Sequence, residues 1–99
     1  MKYNKLVRDK IPQILDAKGI TYEQRVAGDK EYLSELIKKL EEESQEFKES
    51  GEPEELADVL EVIDCLLKLP KYSNVYDIKT QKREERGGFD DRIILKGEK

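Results

Sequence analysis

The chain of 99 residues has no histidine, no tryptophan, one cysteine (Cys65) and three prolines. Without an imidazole, Ser–His and Cys–His nucleophilic catalysis are excluded for want of the base. One thiol and no imidazole also exclude a zinc site of the usual tetrahedral kind. A lone cysteine cannot close an internal disulfide. No signal peptide and no apolar run of membrane-spanning length is found, so a reducing cytoplasm is the expected compartment. Any catalysis falls to carboxylates, amines, guanidinium groups, hydroxyls or a hard metal ion.

What the chain has in abundance is charge: 42% of its residues are charged and 36% hydrophobic, with a net charge of −4. The apolar residues recur at helical intervals rather than being diluted evenly, which predicts a single folded domain over residues 1–99 with a charged exterior. The charge is unevenly placed. Between Glu31 and Leu69, thirteen acidic residues stand against four basic ones, while both flanks are net basic. A polymer of nucleic acid would call for a basic stripe as the main feature, so no such partner is expected. An acidic centre suits metal cations, and basic flanks suit anions. A domain this small buries a limited share of its surface, so pairing with a second copy is expected to complete its core.

Along the chain, Ile11-Pro12 predicts the start of a short helix and Gly19 its end. Ile20, Tyr22, Gln24 and Val26 alternate as a short strand would. A long helix is expected from about Lys30 to about Glu49, with Asp29 as N-cap and Leu33, Leu36, Ile37, Leu40 and Phe47 as its apolar stripe. Ser50-Gly51 stops it, and Glu52-Pro53 opens a second long helix that runs to Leu69-Pro70. So short a connection makes the two antiparallel neighbours. Asn74 is placed to cap a more polar helix ending near Arg86. After Gly87-Gly88, the run Ile93-Ile94-Leu95 suggests an edge strand that could pair with Ile20–Val26. The fold class expected is all-α: an antiparallel helical hairpin completed into a bundle by oligomerisation, with a short β-ribbon as a minor addition.

Most acids on a helix are its wet face, so position decides which ones matter. At about 100° per residue, with Leu36 at zero, Leu40 falls near +40°, Phe47 near +20° and Glu43 near −20°. Glu43 therefore sits in the middle of the apolar stripe, with Glu46 on its shoulder and Glu41 and Glu42 further out. On the second helix, Glu55 falls between Val62 and Leu66, and Asp58 lies next to Leu69. Glu61 and Asp64 take the opposite flank. Ionised carboxylates facing a core are costly unless paired or bound to metal. The centre has too few Lys or Arg to neutralise them, and oxygen-only ligands select Mg²⁺, Mn²⁺ or Ca²⁺. Glu54 and Glu55 also suit a helix's first turn simply as acids.

The run Leu40-Glu41-Glu42-Glu43-Ser44-Gln45-Glu46-Phe47, followed by Glu54-Glu55-Leu56-Ala57-Asp58-Val59-Leu60-Glu61, resembles the E-E-x-x-E … E-x-x-D signature of the MazG-like nucleotide pyrophosphohydrolases. Within that superfamily the chain looks most like the small phosphoribosyl-ATP pyrophosphohydrolase-like group. That group opens with a stretch like Tyr3-Asn4-Lys5-Leu6-Val7-Arg8-Asp9-Lys10-Ile11-Pro12 and often carries a Gly-Gly-Phe segment, here Gly87-Gly88-Phe89. The resemblance implies an α-helical bundle, commonly a dimer or a dimer of dimers. It also implies Mg²⁺-dependent cleavage (Mn²⁺ substituting) of a nucleoside triphosphate or related nucleotide to a monophosphate and pyrophosphate. Carried over by position, Glu42, Glu43, Glu46, Glu55 and Asp58 match metal-binding carboxylates, and Glu61 is an auxiliary candidate. Glu43 or Glu46 would accept the proton of the attacking water. Lys5, Arg8 and Lys10 become candidate substrate contacts, although Arg8 could equally pair with Asp9 as a structural element. Eight residues separate Glu46 from Glu55, which is short for the superfamily. A commoner spacing would bring in Glu61 and Asp64, but the Glu-Leu-Ala-Asp-Val-Leu context and the angular positions favour Glu55 and Asp58.

Two other readings stand beside this one. A non-catalytic helical dimer could use its acidic face to bind a basic protein partner. A phosphoribosyl-ATP pyrophosphohydrolase of histidine biosynthesis is the third, and the resemblance to the "-like" group counts against it.

Overall fold

Pro12 lies in the first turn of α1 (Ile11–Ala17), where its fixed φ suits a helix and its missing N–H is not needed. Past the C-cap Lys18, Gly19 adopts φ +69°. Its amide donates to the Asp16 carbonyl, and the Ile20 amide donates to the Leu15 carbonyl, each at 3.0 Å. This paired arrangement satisfies the last carbonyls of the helix. The computed structural model describes residues 4–98, so Tyr3, which opens the N-terminal motif, lies outside the described residues.

α2 spans Asp29–Ser50 and α3 spans Pro53–Leu67. The N-cap of α2 is Gly28 rather than Asp29, because the Gly28 carbonyl accepts the Tyr32 amide at 2.8 Å. Asp29 instead joins Glu31 in the first turn, where negative charge meets the helix dipole favourably. The helix ends at Gly51, whose φ of +67° lets its amide close on the Phe47 carbonyl at 2.7 Å. The Ser50 hydroxyl then accepts the Glu52 amide, and the Glu52 carbonyl accepts those of Glu55 and Leu56, opening α3 directly. α3 stops at Leu67, short of the expected Leu69. Pro70 forces Leu69 into an extended conformation (ψ 137°), which no helix can pass through.

The chain divides into two compact units, the first ending at Leu66 and the second beginning at Leu67. In the first, α2 and α3 form an antiparallel hairpin. Tyr32 and Cys65 line one cavity with Glu43 and Asp58, so the two helices run past each other in opposite senses. Leu36 and Val62 are the buried apolar residues among those described, each worth on the order of 2 kcal/mol. Much of the remaining apolar surface is open. Leu56 is 50% exposed and Leu60 55%, and Ile37 is similarly bare. The second unit holds a 3₁₀ turn (Pro70–Tyr72) and α4 (Val75–Arg86), with Asn74 at the N-cap but no side-chain capping bond. Gly87, at φ +81°, ends α4, and Arg83 pairs with Asp90 just beyond it. Among the described residues no helix is long and apolar enough to cross a membrane.

The expected β-ribbon is not formed: among the described residues there is no strand, neither over 20–26 nor over 93–95. Val26 is 99% exposed, and Ile93, Ile94 and Leu95 are nearly as bare. Alternation of apolar side chains favours a strand only when a ladder partner and a covering layer are present, and an isolated two-stranded ribbon is marginal. All of the regular structure described is helical.

Candidate metal centre

Two turns of helix place Glu43 on the same stripe as Leu36, and the hairpin turns that stripe inward. Glu43 is 7% exposed, the one charged residue buried among those described. Its Oε1 lies 3.5 Å from Lys39 Nζ, one helical turn back. Its Oε2 is cut off from water and has no hydrogen-bond partner. An unsatisfied buried carboxylate oxygen is expensive, so it marks either a strained structure or a site meant for a ligand.

From α3, Glu55 and Asp58 complete the arrangement. Glu43, Glu55 and Asp58 each offer one carboxylate oxygen, and these oxygens lie within 4.8 Å of one another. A hard cation with ligands at about 2.1–2.6 Å spans such a set, and an all-oxygen donor set suits Mg²⁺, Mn²⁺ or Ca²⁺. The donors present therefore fit a divalent ion. Glu55 sits in the first turn of α3, where the helix dipole favours a negative charge, so that position carries part of the cost of concentrating acids here.

Burial pushes the Glu43 carboxyl above the ordinary glutamate range, and the neighbouring Glu46 and Asp58 carboxylates push it further, against the opposing pull of Lys39. Glu46 itself is exposed and stands beside Glu43 rather than within the three-acid cluster. Glu42 also falls outside that cluster. Its Oε1 accepts Lys5 Nζ at 2.9 Å and lies 3.6 Å from Lys39 Nζ. The Lys5 ammonium holds Glu42 below the usual range, and Glu42 in turn raises Lys5. Glu61 and Asp64 are exposed and lie outside the cluster.

Two of the three N-terminal cations, Lys5 and Arg8, pair with acids of the hairpin. Arg8 Nη2 donates to Asp58 Oδ1 at 2.6 Å, so Arg8 pairs across the fold and not with its sequence neighbour Asp9. Lys10 is exposed at the N-cap of α1. Beneath the N-terminal segment is a cavity of about 160 Å³, lined by Leu6, Val7, Tyr32 and Cys65 together with Glu43 and Asp58. Burial and the Cys65 thiol both raise the Tyr32 phenol. A larger crevice, of about 640 Å³, borders the same segment but contains none of the three clustered acids. The smaller cavity is the one joined to the cluster.

Lys39 was not singled out by periodicity, though its four-residue spacing to Glu43 is a signal that could have found it. Leu6 and Val7 carry no comparable signal. Three of the aromatic residues differ sharply in their surroundings. Tyr32 is half-buried on the cavity wall, Tyr22 donates to Asp16 at 2.8 Å, and Phe89 is 98% exposed.

Comparison of the chain with family models, with curated proteins and with solved structures finds no match in any of the three. The functional reading therefore rests on residues and geometry.

Proposed function

We propose that the chain is a divalent-cation-dependent nucleotide pyrophosphohydrolase, cleaving a nucleoside triphosphate or related nucleotide to a monophosphate and pyrophosphate. The observation that carries this reading is the buried Glu43 carboxylate, one oxygen of it unpartnered, grouped with Glu55 and Asp58. The likeness of the two acidic helices and the N-terminal stretch to the MazG-like pyrophosphohydrolases supports the same conclusion.

Glu43, Glu55 and Asp58 would hold the ion, and Mg²⁺ or Mn²⁺ there supplies charge neutralisation and Lewis-acid assistance to displacement at phosphorus. The protein's own part is positional. Glu46, exposed beside Glu43, would take a proton from an attacking water, and Glu43 is the other candidate for that role. Glu42 holds Lys5 at the edge of the site, and Lys5 and Arg8 bring positive charge to where a phosphate chain would arrive. The open Ile37, Leu56 and Leu60 side chains support a homodimer or homotetramer in which a second copy would cover them.

The test is a pyrophosphate-release panel over canonical, deoxy and modified nucleotides in Mg²⁺, with Glu43→Ala and Glu46→Ala alongside. Release by the wild-type chain and its loss in both variants is expected. Equal release from all three would end the proposal. A non-catalytic helical dimer with an acidic face is the second reading, and the exposed Glu46, Glu54 and Glu61 are what favour it. Such a module would engage a basic partner equally well in chelator.

A further inference from the structure

We propose that residues 4–9 form a strap clipped through Arg8 to Asp58, one of the carboxylates that take the divalent cation, so that cation loading and release of the strap are coupled. This rests on the reading of Glu43, Glu55 and Asp58 as the cation ligands.

The strap has few other fastenings. Among the described residues, no backbone hydrogen bond attaches residues 4–7; the first in this stretch joins the Ile11 amide to the Arg8 carbonyl, and it serves α1. What holds the segment is side chains: the half-buried Leu6 and Val7 against the cavity, and two ion pairs reaching 37 and 50 residues along the chain. Both pairs are partly open to water, so each contributes little. A segment fastened this way is among the first to open.

The second ion pair creates a competition. Arg8 Nη2 sits 2.6 Å from Asp58 Oδ1, and Asp58 offers an oxygen to the three-acid cluster. A divalent ion and a guanidinium sharing one carboxylate repel each other. Lys5 adds to this repulsion through Glu42, whose neighbour in sequence is Glu43. The unpartnered, nine-tenths-buried Oε2 of Glu43 shows that Arg8, Lys5 and Lys39 leave part of the site's demand for positive charge unmet. Coupling of this kind is reciprocal: the cation weakens the strap's hold by the same factor by which the clipped strap weakens the cation's, so removing the strap's charge must strengthen cation binding.

The test is Mn²⁺ titration of the full chain, reading free Mn²⁺ by electron paramagnetic resonance, for wild type and Arg8→Gln. Tighter Mn²⁺ binding in the variant, by roughly two- to fivefold, is expected for removal of one partly exposed competing charge. Equal or weaker binding overturns the strap while leaving the cation site standing. No Mn²⁺ uptake by the wild type overturns both. A second measurement needs no variant and decides the matter if Arg8→Gln does not fold. Limited trypsinolysis in Mg²⁺ and in EDTA is read by mass spectrometry at the Lys5–Leu6 bond, relative to the Lys79–Thr80 bond. Faster relative cleavage in Mg²⁺ supports the coupling, and unchanged or slower cleavage overturns it.

Discussion

Glu42 and Glu43 are consecutive on α2, yet the structure moves their carboxyls in opposite directions: Lys5 lowers Glu42, while burial raises Glu43. Their effects on stability therefore have opposite signs. Glu43, raised above the ordinary value of 4.5, favours the fold fully below that value and loses its contribution as pH climbs through its folded pKa. Glu42, lowered, contributes above the ordinary value and loses its contribution as pH falls through its own folded pKa. In EDTA, Glu43→Gln should thus gain melting temperature relative to wild type as pH rises from 4 to 8, and Glu42→Gln should lose it. Thermal melts of the three proteins across that range check both signs, and parallel curves for Glu43→Gln and wild type would contradict the first.

Metal should stabilise the chain more as its free concentration rises, growing logarithmically once that concentration exceeds Kd. At a free concentration about a hundred times Kd, a ligand confined to the folded state contributes about 2.7 kcal/mol. Mg²⁺ or Mn²⁺ should raise the melting temperature of the wild type, and Asp58→Asn or Glu55→Gln should largely abolish that rise. Calorimetric scans with and without metal measure it. A rise that survives in both variants would place the ion elsewhere.

The hairpin core should be sensitive out of proportion to its size. Leu36→Ala is expected to cost about 3 kcal/mol in urea unfolding, since Leu36 is one of two buried apolar residues among those described. Gly51→Ala should cost about 1 kcal/mol by forcing a side chain into a left-handed conformation at the α2 terminus.

Leu60 tests oligomerisation. Within a single chain it is 55% exposed, so Leu60→Asp should barely disturb an isolated monomer. If a second copy covers that face, the substitution will shift the protein to monomer in sedimentation velocity. An unchanged sedimentation coefficient would leave the face without a partner of its own kind.

The hairpin could be read from residue order because its determinants are local: Pro12, Gly51, Pro53 and Pro70 mark the breaks, and the leucine spacing does the rest. Glu43 could be read for the same reason, as a carboxylate at an apolar position of a regular helix. α3 ends at Leu67, two residues before leucine periodicity predicts, because Pro70 constrains Leu69 through a local steric effect that periodicity does not register. The strand pairing failed because alternation says nothing about whether a partner lies alongside. The Arg8–Asp58 contact was illegible for a related reason: with 19 basic and 23 acidic residues, any cation has many candidate partners, and only the folded chain selects one.

Position 43 sets an evolutionary wager. A leucine there would knit the two helices together and spare the fold a stranded charge, whereas a glutamate weakens the half of the hairpin nearer its connecting turn. Passaged under heat alone, with no demand on its chemistry, a population of this gene should abandon the acid at that codon early, and the speed of its disappearance would gauge how much cohesion the fold forgoes to keep it.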